Sequence, residues 1–425
     1  MKGKRRAVEW GKNALIALLT LSALFLLTMT PLAQDTGLAA WLRPGRADGS
    51  TPSVSAQPGM VLPARLAVYR DGERYGLQYD DDAMEERFAV FGPLLGEALS
   101  GAGEPAALYE SEWRDRLCRP GVYFDFSGQA PLSALERWLG GGERALEGSA
   151  RRAMLCAGEG DQVLLCWQDA GSGRFYTCST PLSQALHLAP ALETVSANGA
   201  WFAFEDDELS RLLDPFTLIA EGTGTGTQYD VTMPLSAAAG METLLDALSF
   251  NSQIHAPGSD GEVYLDGTDR LVVRDNDTVT YRAAQGGKYP VERRDGTATA
   301  GQAADGARAL AERALGALCG DARLYLLSAE EYDEGWRVRF GYRLDGCTVW
   351  LDGEGWAAEF IVRGGYIVEF VLRVRGYVSQ GENVLLLPID KAAAMLPGLT
   401  GEKRELVLRY REGGGPTVSP HWEAV

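Results

Sequence analysis

The stretch from Ala14 to Ala33 contains no charged residue, and five basic side chains, Lys2, Lys4, Arg5, Arg6 and Lys12, precede it. A helix of that length spans about 30 Å, the thickness of a bilayer's hydrocarbon core, so the segment reads as a single membrane-spanning helix. By the positive-inside rule the basic flank stays cytoplasmic, which puts the rest of the chain outside. A cleaved signal peptide has a similar layout. Here, however, the apolar run exceeds a signal core, and Pro31-Leu32-Ala33 puts proline where cleavage wants a small residue. The expected localisation is therefore the cell membrane, single-pass, with a cytoplasmic N-terminus and an extracytoplasmic bulk.

The 425 residues are 46% hydrophobic, enough for two or three domains beyond the anchor. The formal charge of −18, with no basic cluster outside the N-terminus, excludes a nucleic-acid binder, which must neutralise phosphates. Pro44, Pro52, Pro58 and Pro63 sit among glycines and serines without apolar period. The start of the chain thus divides into a cytoplasmic tail (1–13), an anchor (14–33) and a linker (34–63).

From Ala64 onward, strand and helix signals alternate. Leu66, Val68 and Tyr69 lead into a turn at Asp71-Gly72, and Met84, Phe88 and Phe91 mark a helix that Gly92-Pro93 is expected to break or restart. Val122–Phe126 is a strand, followed by a meander of Ala153–Cys156, Val163–Trp167 and Phe175–Cys178; together these form a first α+β domain, 64–200. A second small α+β domain, 201–292, carries Met241, Leu244, Leu245 and Leu248 on one helical stripe. In the third, 300–425, Trp336, Val338, Phe340, Tyr342 and Leu344 alternate with Arg337, Arg339, Gly341 and Arg343, which requires a sheet with one dry and one wet face. Val368, Phe370, Leu372 and Val374 repeat the pattern, as do Leu406, Leu408 and Tyr410. The expected class is α+β: one N-terminal transmembrane helix, then extracytoplasmic domains of antiparallel sheet with helices packed on one face.

Catalytic signals are absent from the sequence. His187, His255 and His421 fall in different units, too far apart in the pattern for a zinc motif. Gly222–Thr227 lacks the lysine of a phosphate loop and reads as a surface loop. No Gly-x-Ser-x-Gly elbow occurs. The acidic runs at Asp80–Asp82, Asp206–Glu208 and Asp275–Asp277 lack calcium-loop spacing and suit two helix caps and a hairpin turn. No catalytic, metal or cofactor residue is assigned. Of six cysteines, Cys166 and Cys178 flank a hairpin turn centred on Ser172. They read either as a disulfide across neighbouring strands or as two thiols packed like small apolar residues.

Several segments together resemble a known family. These are the N-terminal helix; Trp113 with Gly121-Val122-Tyr123-Phe124-Asp125-Phe126 and Pro131-Leu132-Ser133; Leu244-Leu245-Asp246-Ala247-Leu248-Ser249-Phe250-Asn251 with Gly261-Glu262-Val263-Tyr264 and Leu271; and Leu408-Arg409-Tyr410 with Pro420-His421-Trp422. In this order they resemble the YycH/YycI family of membrane-anchored regulatory proteins of Gram-positive bacteria, the YycH side more than the YycI side. The resemblance implies a non-enzymatic role in which such proteins associate with one another and with the sensor histidine kinase of a cell-wall two-component system. It offers no catalytic residue and no cofactor. The cysteines and the strong acidity depart from it.

In such a regulator, helix packing within lipid relies on small residues, which makes Ala14, Ala17, Ser22 and Ala23 the candidate contact stripe; an ordinary lipid-facing anchor is the other reading. Two further functions compete with regulation. A cell-envelope hydrolase would show converging carboxylates or a Ser–His contact, and a passive scaffold or wall-binding protein would show exposed ridges of Trp and Tyr.

Overall fold

The computed structural model describes residues 61–425 apart from 141–145, 221–223, 252, 260, 285, 294–295, 352 and 396–403. The expected anchor, its stripe Ala14, Ala17, Ser22 and Ala23, and nearly all of the 34–63 linker lie outside the described residues. Among the described residues no helix is long and apolar enough to cross a membrane.

The first sheet is built from β1 (Pro63–Arg70), β2 (Glu73–Gln78), β3 (Ala106–Leu108), β4 (Gly121–Pro131), β5 (Ser149–Ala157), β6 (Gln162–Asp169) and β7 (Phe175–Ser183). Its order is β2-β1-β4-β5-β6-β7-β3, antiparallel throughout. Asp71 and Gly72 both take positive φ, 54° and 84°, the geometry a two-residue hairpin needs to match strand twist. One face carries Leu66, Val68, Val122, Phe124, Leu155 and Leu165 into a core shared with the helix Asp81–Ser100. That helix is capped by Asp80, whose carboxylate accepts from the Ala83 amide at 2.9 Å.

The helix continues through Gly92-Pro93 instead of breaking there. An interior proline costs about 3 kcal/mol, whereas burying Phe88, Phe91, Leu95 and Leu99 contributes about 1.5–3 kcal/mol each, so the buried stripe wins. On the opposite face of the first sheet, β8 (Trp201–Phe202), β9 (Leu218–Ile219) and the helix Glu110–Leu117 cover a smaller cluster with Trp113, Phe202 and Phe216. This is a departure from helices on one face only.

β10 (Thr225–Thr232) begins within the expected Gly222–Thr227 loop, so its end is strand. The second large sheet uses β11 (His255–Gly258), β12 (Gly261–Asp266), β13 (Asp269–Val273), β14 (Thr278–Arg282), β15 (Tyr289–Pro290), β16 (Arg323–Tyr332), β17 (Gly335–Leu344), β18 (Cys347–Trp350), β19 (Ala358–Arg363) and β20 (Tyr366–Arg373). Its main order is β11-β12-β13-β14-β20-β19-β17-β16, antiparallel. β21 (Gly376–Leu385) returns to β10. β22 (Leu406–Arg411) pairs parallel with β18, β23 (Thr417–Val418) pairs with β10, and β24 (Pro420–Ala424) pairs with β22.

The period-two pattern of β17 holds, with Val338, Phe340 and Tyr342 fully buried. Its wet face closes at Arg343, which is 1% exposed, donates to the Leu62 carbonyl at 2.8 Å and pairs with Asp81. In β20 a bulge opposite Ile361 and Val362 moves Ile367 into the core and leaves Val368 half-buried.

The two large sheets join where Ser328 of β16 bridges Gln129 of β4 in parallel. The helix Leu132–Trp138 packs against both Asp81–Ser100 and the helix Ala300–Leu315. One core cluster therefore draws residues from Val61 to Val418, and the described residues form one compact unit. The segments 64–200, 201–292 and 300–425 share that core, because each leaves an apolar face that the next one covers.

Candidate functional site

A row of polar side chains crosses the middle of the first sheet. Gln78, Arg65, Asp125, Arg152 and Gln168 stand directly opposite one another on β2, β1, β4, β5 and β6, and therefore project from the same face. Arg65, Asp125 and Arg152 are each about 97% buried or more. Ionised groups survive such burial only when paired.

The partner comes from the far end of the chain. Arg65 Nη1 donates to Asp125 Oδ2 at 2.9 Å and to Glu405 Oε1 at 2.5 Å, while Nη2 donates to the Tyr79 hydroxyl at 2.6 Å and the Leu406 carbonyl at 3.0 Å. Arg151 donates to the other oxygen of Glu405. Arg152 Nη2 stands 3.0 Å from Asp214 Oδ1 and 3.7 Å from Glu405 Oε2. Tyr79 Oη in turn accepts from the Leu408 amide at 3.1 Å, so β22 is clamped to β1 and to the residue that follows β2. Beside this network lies a cavity of about 290 Å³, lined by Arg65, Tyr79, Asp125, Arg151, Glu405 and Arg409.

Burial opposes ionisation of Glu405, but Arg151, Arg65 and Arg152 overcome it and hold its carboxyl well below the usual carboxylate range. A glycosidase acid needs the reverse, a carboxyl kept protonated near neutrality. Carboxylates do converge here, yet Asp125 and Glu405 are joined through one guanidinium. The arrangement suits a fixed mechanical joint between chain segments rather than proton transfer.

The other discriminating contacts are also committed elsewhere. Ser183 approaches His187 only through its backbone amide, at 2.9 Å; its hydroxyl donates to Asp161 and accepts from the Leu186 amide. An open groove of about 440 Å³ contains Tyr332 and Trp336, but Arg337 covers the Tyr332 ring at 3.5 Å and Trp336 Nε1 donates to the Ala298 carbonyl.

The three histidines are not brought together: His187 follows β7, His255 lies on β11 and His421 on β24. Asp80 caps its helix. Asp206 accepts from the Glu208 and Leu209 amides, and Asn276 accepts from the Thr278 amide in a turn.

Cys166 and Cys178 do not meet. Cys166 lies opposite Thr177 and Cys178 opposite Leu165, which sends the two side chains to opposite faces of the sheet, and no bridge joins them. The joint itself went unassigned in the sequence. The available signals were an aspartate inside the apolar strand Val122–Phe126 and an arginine heading the apolar run Leu66–Val68.

No family model and no curated protein matches the chain. Among solved structures, YycH from Bacillus subtilis is similar over 86% of this chain and 94% of its own length, with a TM-score of 0.53 at 11% identity. The fold is YycH-like. A protein from Eubacterium rectale overlaps 47% of this chain and 76% of its own at 14% identity, with a TM-score of 0.29, too loosely to carry an argument.

Proposed function

We propose that the chain is a membrane-anchored extracytoplasmic regulatory protein that modulates a sensor histidine kinase of a cell-wall two-component system through protein–protein contact. The observation that carries this reading is the YycH-like fold, which extends over nearly the whole of both chains. The ordered run of segments resembling the YycH/YycI family and the uncharged stretch 14–33 behind a basic flank support it.

The physical mechanism is a population shift. A protein that binds one signalling conformation of the kinase about 1.4 kcal/mol more tightly than the other changes their ratio tenfold. A second protein of the same family is a further partner in this scheme. A tightly joined exterior suits the role, because a displacement at one end reaches the other only through a body that does not yield internally.

The test replaces residues 14–33 with an unrelated spanning helix and reads a wall-stress reporter. The reading expects altered output while the exterior folds normally. Full regulation restored by a soluble exterior alone would contradict the membrane part of the proposal.

A further inference from the structure

The cavity beside the joint opens where β4 leaves its own sheet. The β4–β5 ladder jumps from Asp125 opposite Arg152 to Ala130 opposite Ala150, so Phe126–Gln129 stand against Arg151 alone, and Gln129 pairs instead with Ser328 of β16. The β5–β6 ladder skips Arg151 as well. Strand alternation would send Arg151 to the face away from Arg152, yet both reach Glu405, because the double bulge re-aims Arg151. Its Nη2 is engaged by Glu405, while Nη1 makes no hydrogen bond among the described residues.

The second sheet contributes Arg339 of β17 and Arg409 of β22 to the same cavity wall. Neither makes a hydrogen bond through Nη1 or Nη2 among the described residues. The side chains of Arg151, Arg339 and Arg409 are 36%, 27% and 13% exposed, so all three remain within reach of a solute. Each carboxylate beside the second-sheet arginines is shared between two guanidiniums. Glu359 lies 2.7 Å from Arg339 and 3.7 Å from Arg337, and Glu423 lies 3.4 Å from Arg409 and 3.8 Å from Arg411. Each group therefore keeps one positive charge in excess. Of the acids on the wall, Asp125 and Glu405 are both bonded to Arg65, which leaves exposed Glu330. The arginines of the two sheets also converge: burial pushes the Tyr325 hydroxyl up to about 12, and Arg409, Arg343 and Arg151 all pull it the other way.

We propose that this cavity binds the phosphoryl group of a small anion, Arg151 reaching it from the first sheet and Arg339 and Arg409 from the second. A carboxylate holds its two oxygens in one plane and suits a single guanidinium fork. Forks arriving from two sheets suit a tetrahedral group, whose oxygens point in several directions. The volume of about 290 Å³ lies at the small end of ligand pockets, which admits inorganic phosphate or a short phosphate ester. The bound group bridges the sheets next to Glu405, so occupancy tightens the joint. This inference goes beyond the kinase reading and stands or falls without it.

The test titrates the full-length chain in detergent with glycerol 3-phosphate, inorganic phosphate and succinate, each compared with sodium chloride at equal ionic strength. Binding heat and the thermal midpoint are followed together. The expected result is saturable one-site binding of a phosphate probe, with succinate at least about tenfold weaker. Tighter binding of glycerol 3-phosphate assigns the site to an ester, and inorganic phosphate binding at least as tightly assigns it to the free ion. Arg339→Gln and Arg409→Gln each weaken the phosphate probe about tenfold. Glu330→Gln tightens it about twofold, a gain that a damaged fold would not produce. The proposal is overturned if neither phosphate probe saturates beyond the chloride control, or if succinate binds as tightly. Binding that survives both arginine substitutions, as binding to the basic N-terminal tail would, also overturns it.

Discussion

Arg65 stands directly opposite Asp125 across β1 and β4, and the same guanidinium nitrogen that donates to Asp125 at 2.9 Å donates to Glu405 at 2.5 Å. Residues 340 positions apart are thus tied through one buried atom. Removing one member of such a network leaves the others as uncompensated charge, which costs far more than the intact pair contributes.

Arg65→Met should therefore destabilise the exterior by about 3–5 kcal/mol, read as a lower denaturant midpoint. Arg65→Met combined with Asp125→Leu and Glu405→Leu should recover most of the loss, since apolar replacements of the whole cluster are often neutral.

The same network sets a pH dependence. Glu405 is held below the ordinary carboxylate range in the fold, so the unfolded chain binds its proton first. Its stabilising contribution is complete above the unfolded value of about 4.3 and is lost as pH falls through the folded one. Denaturation midpoints should hold from pH 8 to about 5 and fall steadily below that. Glu405→Gln should flatten the acid limb, and an unchanged limb would remove Glu405 from the account.

How much of this was legible in the sequence depends on distance along the chain. The stripe Met84, Phe88 and Phe91 and the alternation of Val338, Phe340 and Tyr342 are local periods, and both elements form where the pattern puts them, although the helix continues past the break expected at Gly92-Pro93 and carries Leu95 and Leu99 on the same stripe. Register is finer than a period. The β6–β7 hairpin pairs Gln168 with Phe175, so its centre falls between Gly171 and Ser172 rather than on Ser172, and that half-residue sends Cys166 and Cys178 to opposite faces. The joint was hidden for another reason: neither Asp125 nor Glu405 has any local feature that names the other, and only the fold brings them to Arg65.

The seam between the sheets is equally specific. A Cβ on Gly128 would sit 2.3 Å from the Leu326 carbonyl oxygen and 2.5 Å from that of Leu327, both backbone atoms that cannot swing aside. Gly128→Ala should push β4 from β16 and cost about 1–3 kcal/mol. Calorimetry would show a lowered unfolding temperature, and an unchanged one would mean the seam is slack.

Pro93 offers a change of opposite sign. It is exposed within the helix Asp81–Ser100, where its ring removes one backbone hydrogen bond. Pro93→Ala should restore that bond and stabilise by about 1–2 kcal/mol after the unfolded chain regains freedom. A loss of thermal stability would show that the proline's fixed φ matters more than the missing donor.

The central claim is action by touching a neighbour in the membrane. Its most direct measurement is site-specific crosslinking of the full-length chain in intact envelope, followed by identification of whatever is captured. The account predicts a sensor histidine kinase joined to the chain at wild-type abundance, with capture lost when residues 14–33 are exchanged. Recovery of the chain free in the medium, or bound in the envelope with no kinase captured from any position, would contradict it.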